Sequence, residues 1–175
     1  MPSDSRLKRL ESIVDMPLYR FSRLLSEAGS LIVRVCEGQF GITRREWRIL
    51  SYLAPHDGVP PSGLSRMAGL DKAQTSRTVA SMMEKGLLLR TALPSDRRHA
   101  VLQLTPAGRE LHDRILPLIR HINRELLSVL STAEIEQLDA MLDRLQTQAE
   151  QVKAQLDADL PRAIRHKGRV RGPAG

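Results

Sequence analysis

The sequence is poor in aromatic residues, contains a single cysteine and has no long apolar segment. Aromatic residues make up 3% of the 175 residues, so a folded core has to be built mainly from Leu, Ile, Val, Met and Ala. No apolar run approaches the roughly 18 residues that a membrane-spanning helix needs. Residues 1–15 are too charged for the apolar segment of a signal peptide. These absences predict a cytoplasmic protein with no membrane partner.

The cysteine and the histidines form no catalytic or metal-binding pattern. Cys36 cannot form an internal disulfide. We interpret it as a small buried residue. The alternative is a redox-responsive regulator acting through this thiol, which would need a nearby cation or a helix N-terminus to lower its pKa. The histidines lack the HxxxH and HExxH spacings of metal sites, and there is no nucleophile elbow or phosphate-binding glycine loop. The sequence therefore predicts no metal, no cofactor and no enzymatic activity.

Positive charge is concentrated in two parts of the chain. The net charge is +7 and the pI is about 10.3, which favours an anionic partner such as nucleic acid. Between residues 60 and 104 there are seven Lys and Arg residues and three acidic ones. Residues 158–175 add five cations and one acid, Asp159. We interpret this second segment as a basic, disordered tail that is either only solvated or adds phosphate contacts.

Apolar periodicity and capping residues predict a mainly helical chain with one β-hairpin. Residues 1–15 form a polar N-terminal arm. Alternating steps of three and four between apolar residues predict a helix over 16–37, and Thr43 with Glu46 forms a capping box for the next helix, over 43–54. The other predicted elements are helices over 62–68, 71–85 and 105–130, strands over 87–92 and 100–104, and a hairpin tip over 93–99.

The last predicted helix carries a heptad pattern. Ser131 and Glu134 cap it, and its apolar residues alternate in steps of three and four from Ile135 to Leu156. A stripe this regular requires a partner helix, either on the same chain or on a second copy. We expect a second copy, because homodimers are the commonest soluble oligomers.

The region from 64 to 104 has the pattern of a helix-turn-helix followed by a hairpin wing. Its second helix is predicted to bury Val79, Met82 and Met83, and its N-terminal turns carry polar side chains that can read base edges in the DNA major groove. An arginine on a hairpin tip can enter the minor groove, and of the two tip arginines we favour Arg98 for this position. The predicted DNA-contacting residues are Lys72, Gln74, Thr75, Ser76, Arg77, Arg97 and Arg98.

Three stretches of the chain resemble the MarR family of bacterial winged-helix repressors. They are GITRREWRIL at 41–50, LSRMAGLDKAQTSRTVASMMEKGLLLR at 64–90 and SDRRHAVLQLTPAGRE at 95–110. The resemblance implies a mainly α fold with a small β-hairpin wing. Some relatives carry an acid on the recognition helix that pairs with a wing arginine; the matching position here is Ala80. The implied organisation is a winged helix-turn-helix domain over 16–157, with a DNA-binding lobe over 43–104 and dimerisation helices over 16–37 and 105–157.

The resemblance also implies a function. The expected protein is a homodimeric repressor that binds palindromic double-stranded DNA and is released by a small effector, such as an aromatic or phenolic acid. An arginine in the effector pocket could bind a carboxylate in a bidentate manner. Each candidate effector-binding residue could instead belong to the core, be solvated or form an ion pair. The alternative for the whole protein is a helical protein-interaction module. The candidate effector-binding residues are Tyr19, Arg20, Arg23, Trp47 and His112.

Overall fold

The computed structural model describes residues 5–56, 58–67, 71–93, 96–157 and 159–161. The chain is mainly helical with one two-stranded sheet, and it divides into two compact units, residues 1–127 and 128–175. None of the described helices is both long and apolar enough to cross a membrane. In chain order the elements are α1 (Arg6–Arg9), a 3₁₀ turn (Ile13–Asp15), α2 (Pro17–Val33), a π-helical segment (Arg34–Gln39), α3 (Arg44–Leu53), α4 (Pro61–Met67), α5 (Lys72–Glu84), β1 (Leu88–Leu93), β2 (Asp96–Leu104), α6 (Pro106–Leu127) and α7 (Thr132–Leu156).

The predicted mainly helical fold with one hairpin is confirmed, but the first long helix changes its winding. The α-helical part of the element predicted over 16–37 ends at Val33, and the chain continues as the π-helical segment to Gln39. Such wider turns inside helices are often found at functional sites. Gly41 follows with a φ of +66°, a left-handed conformation that favours glycine and separates this helix from α3.

The hairpin is longer than predicted. β1 and β2 form an antiparallel ladder that extends to the pair Leu93 and Asp96, so the predicted tip over 93–99 is wrong in its length. Arg97 and Arg98 belong to the β2 backbone, and their side chains lie outside the described part of the structure. The strand signal in a sequence is apolar alternation, whereas backbone pairing across a hairpin also orders charged residues, so alternation alone does not reveal the extension.

The core of the first unit is aliphatic, as the scarcity of aromatic residues predicts. It lies where α3, α5, α6 and the sheet meet. Val59, before α4, joins the sheet through two backbone hydrogen bonds with Leu102, of 3.0 and 2.9 Å. The core side chains with almost no exposed surface are Cys36, Ile49, Leu50, Leu53, Leu64, Met82, Leu102 and Ile115.

Thr105 and Gly108 fasten the start of α6 to the segment that follows α5. The Thr105 hydroxyl donates to the carbonyl oxygen of Gly86 at 2.7 Å and accepts the backbone N–H of Gly108 at 3.0 Å. A Cβ on Gly108 would overlap the carbonyl oxygen of Leu87. Residues 105–108 therefore pack closely against the backbone at Leu87, and this packing requires glycine at position 108.

The second unit is built on α7. Ser131 and Glu134 each accept a hydrogen bond from the other's backbone N–H, which confirms the predicted capping box. Within the described chain no residue of α7 is buried: Ile135 and Leu138 at the start of its apolar stripe are half-buried, and the rest of the stripe is exposed. Of the predicted basic tail, residues 158 and 162–175 lie outside the described residues. The exposed apolar residues of α7 are Met141, Leu142, Leu145, Val152 and Leu156.

Candidate nucleic-acid interface

The second helix of the helix-turn-helix, α5, has a polar face at its N-terminal end. Asp71 caps the helix, because its side chain accepts the backbone N–H of Gln74 at 2.7 Å. Lys72, Ser76 and Arg77 are exposed, and Gln74 is half-buried. Four of the five α5 residues that the sequence singled out are therefore accessible to a partner.

Thr75 does not belong to this face. Its side chain is 5% exposed, and its hydroxyl donates to the carbonyl oxygen of Asp71 at 2.9 Å. Thr78, one turn later, is also buried and donates to the carbonyl oxygen of Gln74 at 2.8 Å. The structure therefore disfavours the predicted DNA contact of Thr75, because its hydroxyl is satisfied by its own helix and its side chain is buried.

The inner face of α5 is narrower than predicted. Val79 is half-buried, but Met83 is 41% exposed instead of buried. Met83 follows the buried Met82 by one residue and so points about 100° away from it. With Val79 it lines a cavity of about 450 Å³ between α4, α5 and the sheet, where Lys72 and Arg90 add two cations to the apolar walls.

A buried carboxylate, Glu46, ties α5 to α3. Its side chain is 2% exposed. Oε2 accepts the backbone N–H of Thr43 at 2.7 Å and pairs with Nζ of Lys85 at 2.9 Å, and Oε1 accepts the hydroxyl of Ser81 at 2.8 Å. The predicted capping box of α3 is confirmed. The second role of this carboxylate cannot be predicted from the sequence, because no local pattern links a capping acid to a lysine at the end of another helix.

The electrostatic environment keeps Glu46 ionised. Burial alone would raise the pKa of this carboxyl group, since the interior solvates a charge poorly. Hydrogen bonds from Lys85, the Thr43 backbone and Ser81, together with the positive charge of Lys85, outweigh burial and hold the pKa of Glu46 below its ordinary value. At neutral pH the charge of Glu46 is therefore present and is balanced by Lys85.

A polar groove of about 410 Å³ lies between α3 and α5. Gln74 and Arg77, both predicted to contact DNA, share it with Arg45 of α3, which the sequence analysis did not consider. Glu46 also lines the groove, but Lys85 balances its charge. The two arginines therefore make the net charge of the groove positive. The lining residues are Thr43, Arg45, Glu46, Gln74, Arg77, Thr78 and Ser81.

The candidate effector residues are divided in the structure. Trp47 and His112 are 7% and 9% exposed, and their rings stack with centroids 5.6 Å apart and an interplanar angle of 14°. Tyr19 is half-buried on α2, whereas Arg20 and Arg23 are exposed there. The structure thus brings two of the five together as an aromatic pair. The three residues of α2 line neither the groove nor the 450 Å³ cavity.

Cys36 lies in the π-helical segment and has no exposed surface. Burial, followed by the nearby charge of Glu37, raises the pKa of its thiol to about 11, and Arg44 offsets only part of this rise. The thiolate is the reactive form of cysteine, so a thiol held protonated and buried is a poor redox sensor. The interpretation of Cys36 as a buried residue is confirmed, and the redox alternative is disfavoured.

Comparison with known proteins identifies the family. The profile of the MarR family matches residues 40–99. A protein described as a transcriptional regulator for the hcr operon of Thauera aromatica is 30% identical over 114 residues, which cover 65% of this chain and 69% of that protein. The chain belongs to the MarR family. It is a DNA-binding transcription regulator and not an enzyme. The transcriptional repressor MprA of Escherichia coli K12 is also 30% identical, over 54% of each chain.

Solved MarR-fold structures resemble most of the chain. A MarR/EmrR family regulator from Acinetobacter sp. ADP1 is 28% identical, with a TM-score of 0.72 over 80% of this chain and 99% of the other. MepR of S. aureus, solved with DNA, is 24% identical, with a TM-score of 0.69 over 76% and 98%. CouR of Rhodococcus jostii RHA1, bound to p-coumaroyl-CoA, is 23% identical, with a TM-score of 0.70 over 77% and 94%. The last two show the shared fold alone.

Proposed function

We propose that this MarR-family regulator is a homodimeric, ligand-responsive repressor that binds palindromic operators through α5. The observation that carries the proposal is the polar N-terminal face of α5, with Lys72, Ser76 and Arg77 exposed and Gln74 at its edge. Lysine and arginine match guanine edges or phosphates, and glutamine matches an adenine edge. The name of MprA as a repressor and the DNA complex of MepR support this assignment.

A second copy of the chain is the proposed partner of the uncovered apolar residues. Leu142 and Leu145 of α7 are 45% and 49% exposed, and Leu18 of α2 is 82% exposed. Exposed leucines at regular helical spacing are typical of helix–helix interfaces. In a two-fold dimer the two α5 helices would enter major grooves about 34 Å apart, which corresponds to a palindromic operator. Sedimentation equilibrium should therefore give a dimer mass.

An aromatic acid is the proposed class of effector. Trp47 and His112 form an almost fully buried aromatic stack, and Arg20 and Arg23 of α2 are exposed cations that could bind a carboxylate. The p-coumaroyl-CoA complex of CouR, a protein of the same fold, supports an aromatic ligand. An effector that prefers a different arrangement of the α5 helices would lower the affinity for DNA by its differential binding to the two forms.

Selection from a random duplex library tests this function. We expect an enriched motif of two inverted half-sites whose centres are about 10 base pairs apart. Arg77→Ala should weaken binding to the enriched duplex by about tenfold, because a good base contact contributes about 1–3 kcal/mol. Arg120→Ala removes an equal charge from the exposed surface of α6 and is the matched control.

Absence of an enriched sequence, or an unchanged affinity in Arg77→Ala, would contradict the assignment of α5. Arg97 and Arg98 stay proposed wing contacts, and their alanine variants belong in the same series. Salt dependence separates this function from a protein-interaction module. Binding to DNA should weaken steeply as salt increases, whereas a partner held by apolar helices should not be released.

A further inference from the structure

Two arginines outside the helix-turn-helix, Arg45 and Arg48, lie on α3 beside the recognition helix. We propose that they bind backbone phosphates of the DNA that α5 reads, and so form a second, sequence-independent contact surface. This inference rests on the proposed function, because it needs a duplex seated on α5. Neither residue is among those that the sequence predicts to contact DNA.

The position of Arg45 carries the inference. Arg45 lines the groove that also contains Arg77 and Gln74 of α5. It also lines a second cleft, of about 340 Å³, and Arg48 lines that cleft one helical turn further along α3. The DNA backbone that flanks the major groove containing α5 would then pass over Arg45 and Arg48. Arg45 and Arg77 would then meet neighbouring parts of one duplex.

The charge balance of the two cavities favours an anion. Arg44, Arg45, Arg48 and Arg77 line them together with two acids, Glu37 and Glu46. Lys85 already balances the charge of Glu46. Glu37 is therefore the one remaining negative charge in the lining, compared with four positive guanidinium groups. Arg45 and Arg48 are exposed and form no ion pair with a carboxylate in the described part of the chain, so both are available to an external anion.

The chemistry of the walls favours an extended phosphodiester over a small aromatic effector. Every residue lining the groove and the cleft is polar or charged. Small-molecule pockets are lined mostly by apolar side chains with a few placed polar groups, which differs from the lining of these two cavities. Arginine binds phosphate oxygens through two parallel hydrogen bonds, and such contacts position a protein on DNA without reading its sequence. Arg44 is half-buried and packs near Gly29 of α2, so we exclude it from the proposed contact.

The test uses the full chain and a fluorescent mixed-sequence duplex of about 30 base pairs, with anisotropy measured from about 50 to 200 mM salt. The Arg45→Gln/Arg48→Gln double variant should lower the magnitude of the salt slope by about 0.9 for each phosphate that is no longer neutralised. Arg120→Gln, which removes one exposed charge from α6, should keep the slope of the wild type. Arg45→Lys/Arg48→Lys should recover most of the slope, because a lysine still neutralises a phosphate.

The outcomes separate this inference from the proposed function. If the wild type binds the duplex with a steep salt slope and the Gln double variant has the same slope, the second surface does not exist and the function stands. An equal decrease in the Gln and Lys double variants would show a structural effect and would also overturn the inference. A wild type that does not bind the duplex would overturn both. If inorganic phosphate raises the Tm of the wild type alone while the DNA slopes are equal, the arginines hold a free anion instead of DNA.

Discussion

Replacing Glu46 by alanine should remove the tie between α3 and α5. Three donors would lose their acceptor: the backbone N–H of Thr43, the hydroxyl of Ser81 and the ammonium group of Lys85. Breaking a fully buried ion pair costs roughly 3–5 kcal/mol. The side chain of Lys85 is 37% exposed and can be solvated, so we expect about 2 kcal/mol for the pair. The Thr43 hydroxyl still caps α3 in this variant, but the lost hydrogen bond from the backbone N–H of Thr43 adds about 1 kcal/mol. Together these correspond to a fall in Tm of roughly 6–12 °C for a chain of this size.

Glu46→Gln isolates the contribution of the charge. The pKa of Glu46 is lower in the folded protein than its ordinary value, so its ionised form stabilises the fold at pH values above the ordinary pKa. This stabilisation is lost as the pH falls through the folded pKa, that is, below the ordinary glutamate value of about 4.3. The difference in Tm between wild type and Glu46→Gln should therefore be largest at neutral pH and shrink in acid.

Thermal unfolding followed by circular dichroism measures both effects. The protein concentration must be the same throughout, because the Tm of a dimer depends on it. Glu84→Ala removes an exposed carboxylate from α5, the helix that carries Ser81, one of the partners of Glu46, and is the matched control, with an expected change within about 0.5 kcal/mol. If Glu46→Ala unfolds within about 2 °C of this control, the tie does not stabilise the fold and the reasoning is refuted. If the Tm values of wild type and Glu46→Gln fall equally as the pH is lowered, the argument for the contribution of the charge is also refuted.

The remaining predictions concern the start of α6, the cysteine and the aromatic stack. Gly108→Ala should lower the Tm, because its Cβ would overlap the Leu87 carbonyl oxygen, whereas Gly63→Ala, with no described atom within 4 Å of the new Cβ, should raise it by about 1–3 °C; equal shifts would contradict the close packing at α6. At pH 7, Cys36 should react with a thiol reagent about a hundredfold more slowly in the native protein than in urea, because its pKa is about 11; equal rates would contradict its burial. The fluorescence of Trp47, the one tryptophan of the sequence, should change with an aromatic acid at the concentrations that release DNA, and release without any change would place the effector elsewhere.

Local signals in the sequence locate the starts of the capped helices. The capping boxes that begin at Thr43 and Ser131 predict the starts of α3 and α7, because a capping box depends only on residues three positions apart. The length of β2 escapes such signals, because it depends on pairing with another strand. The direction of Thr75 escapes them for a different reason: a threonine can satisfy its hydroxyl on its own helix, so its polarity does not predict exposure.

The parts of the site that could not be predicted are contacts between distant residues. Glu46 and Lys85 are 39 positions apart, and Arg45 and Arg77 meet only because α3 and α5 pack side by side. A single sequence records the composition of each helix but not which faces meet. The polar face of α5 was therefore accessible to sequence reasoning, whereas the groove that extends it onto α3 needed the structure.

The Glu46–Lys85 pair affects both the stability of the packing between α3 and α5 and the charge of the groove between them. Glu46 lines the groove that contains Arg45 and Arg77, where an unbalanced carboxylate would repel phosphate. Lys85→Met would leave this anion unpaired, while Glu46→Gln would leave the cation of Lys85 unpaired. Both variants break the same ion pair, so a purely positional role of the pair predicts similar decreases in affinity for DNA. The electrostatic role predicts that Lys85→Met weakens duplex binding more than Glu46→Gln at low salt, and that the difference shrinks as salt screens the groove. Equal affinities of the two variants for the duplex at low salt would contradict the electrostatic role and would indicate that the pair only positions α3 and α5.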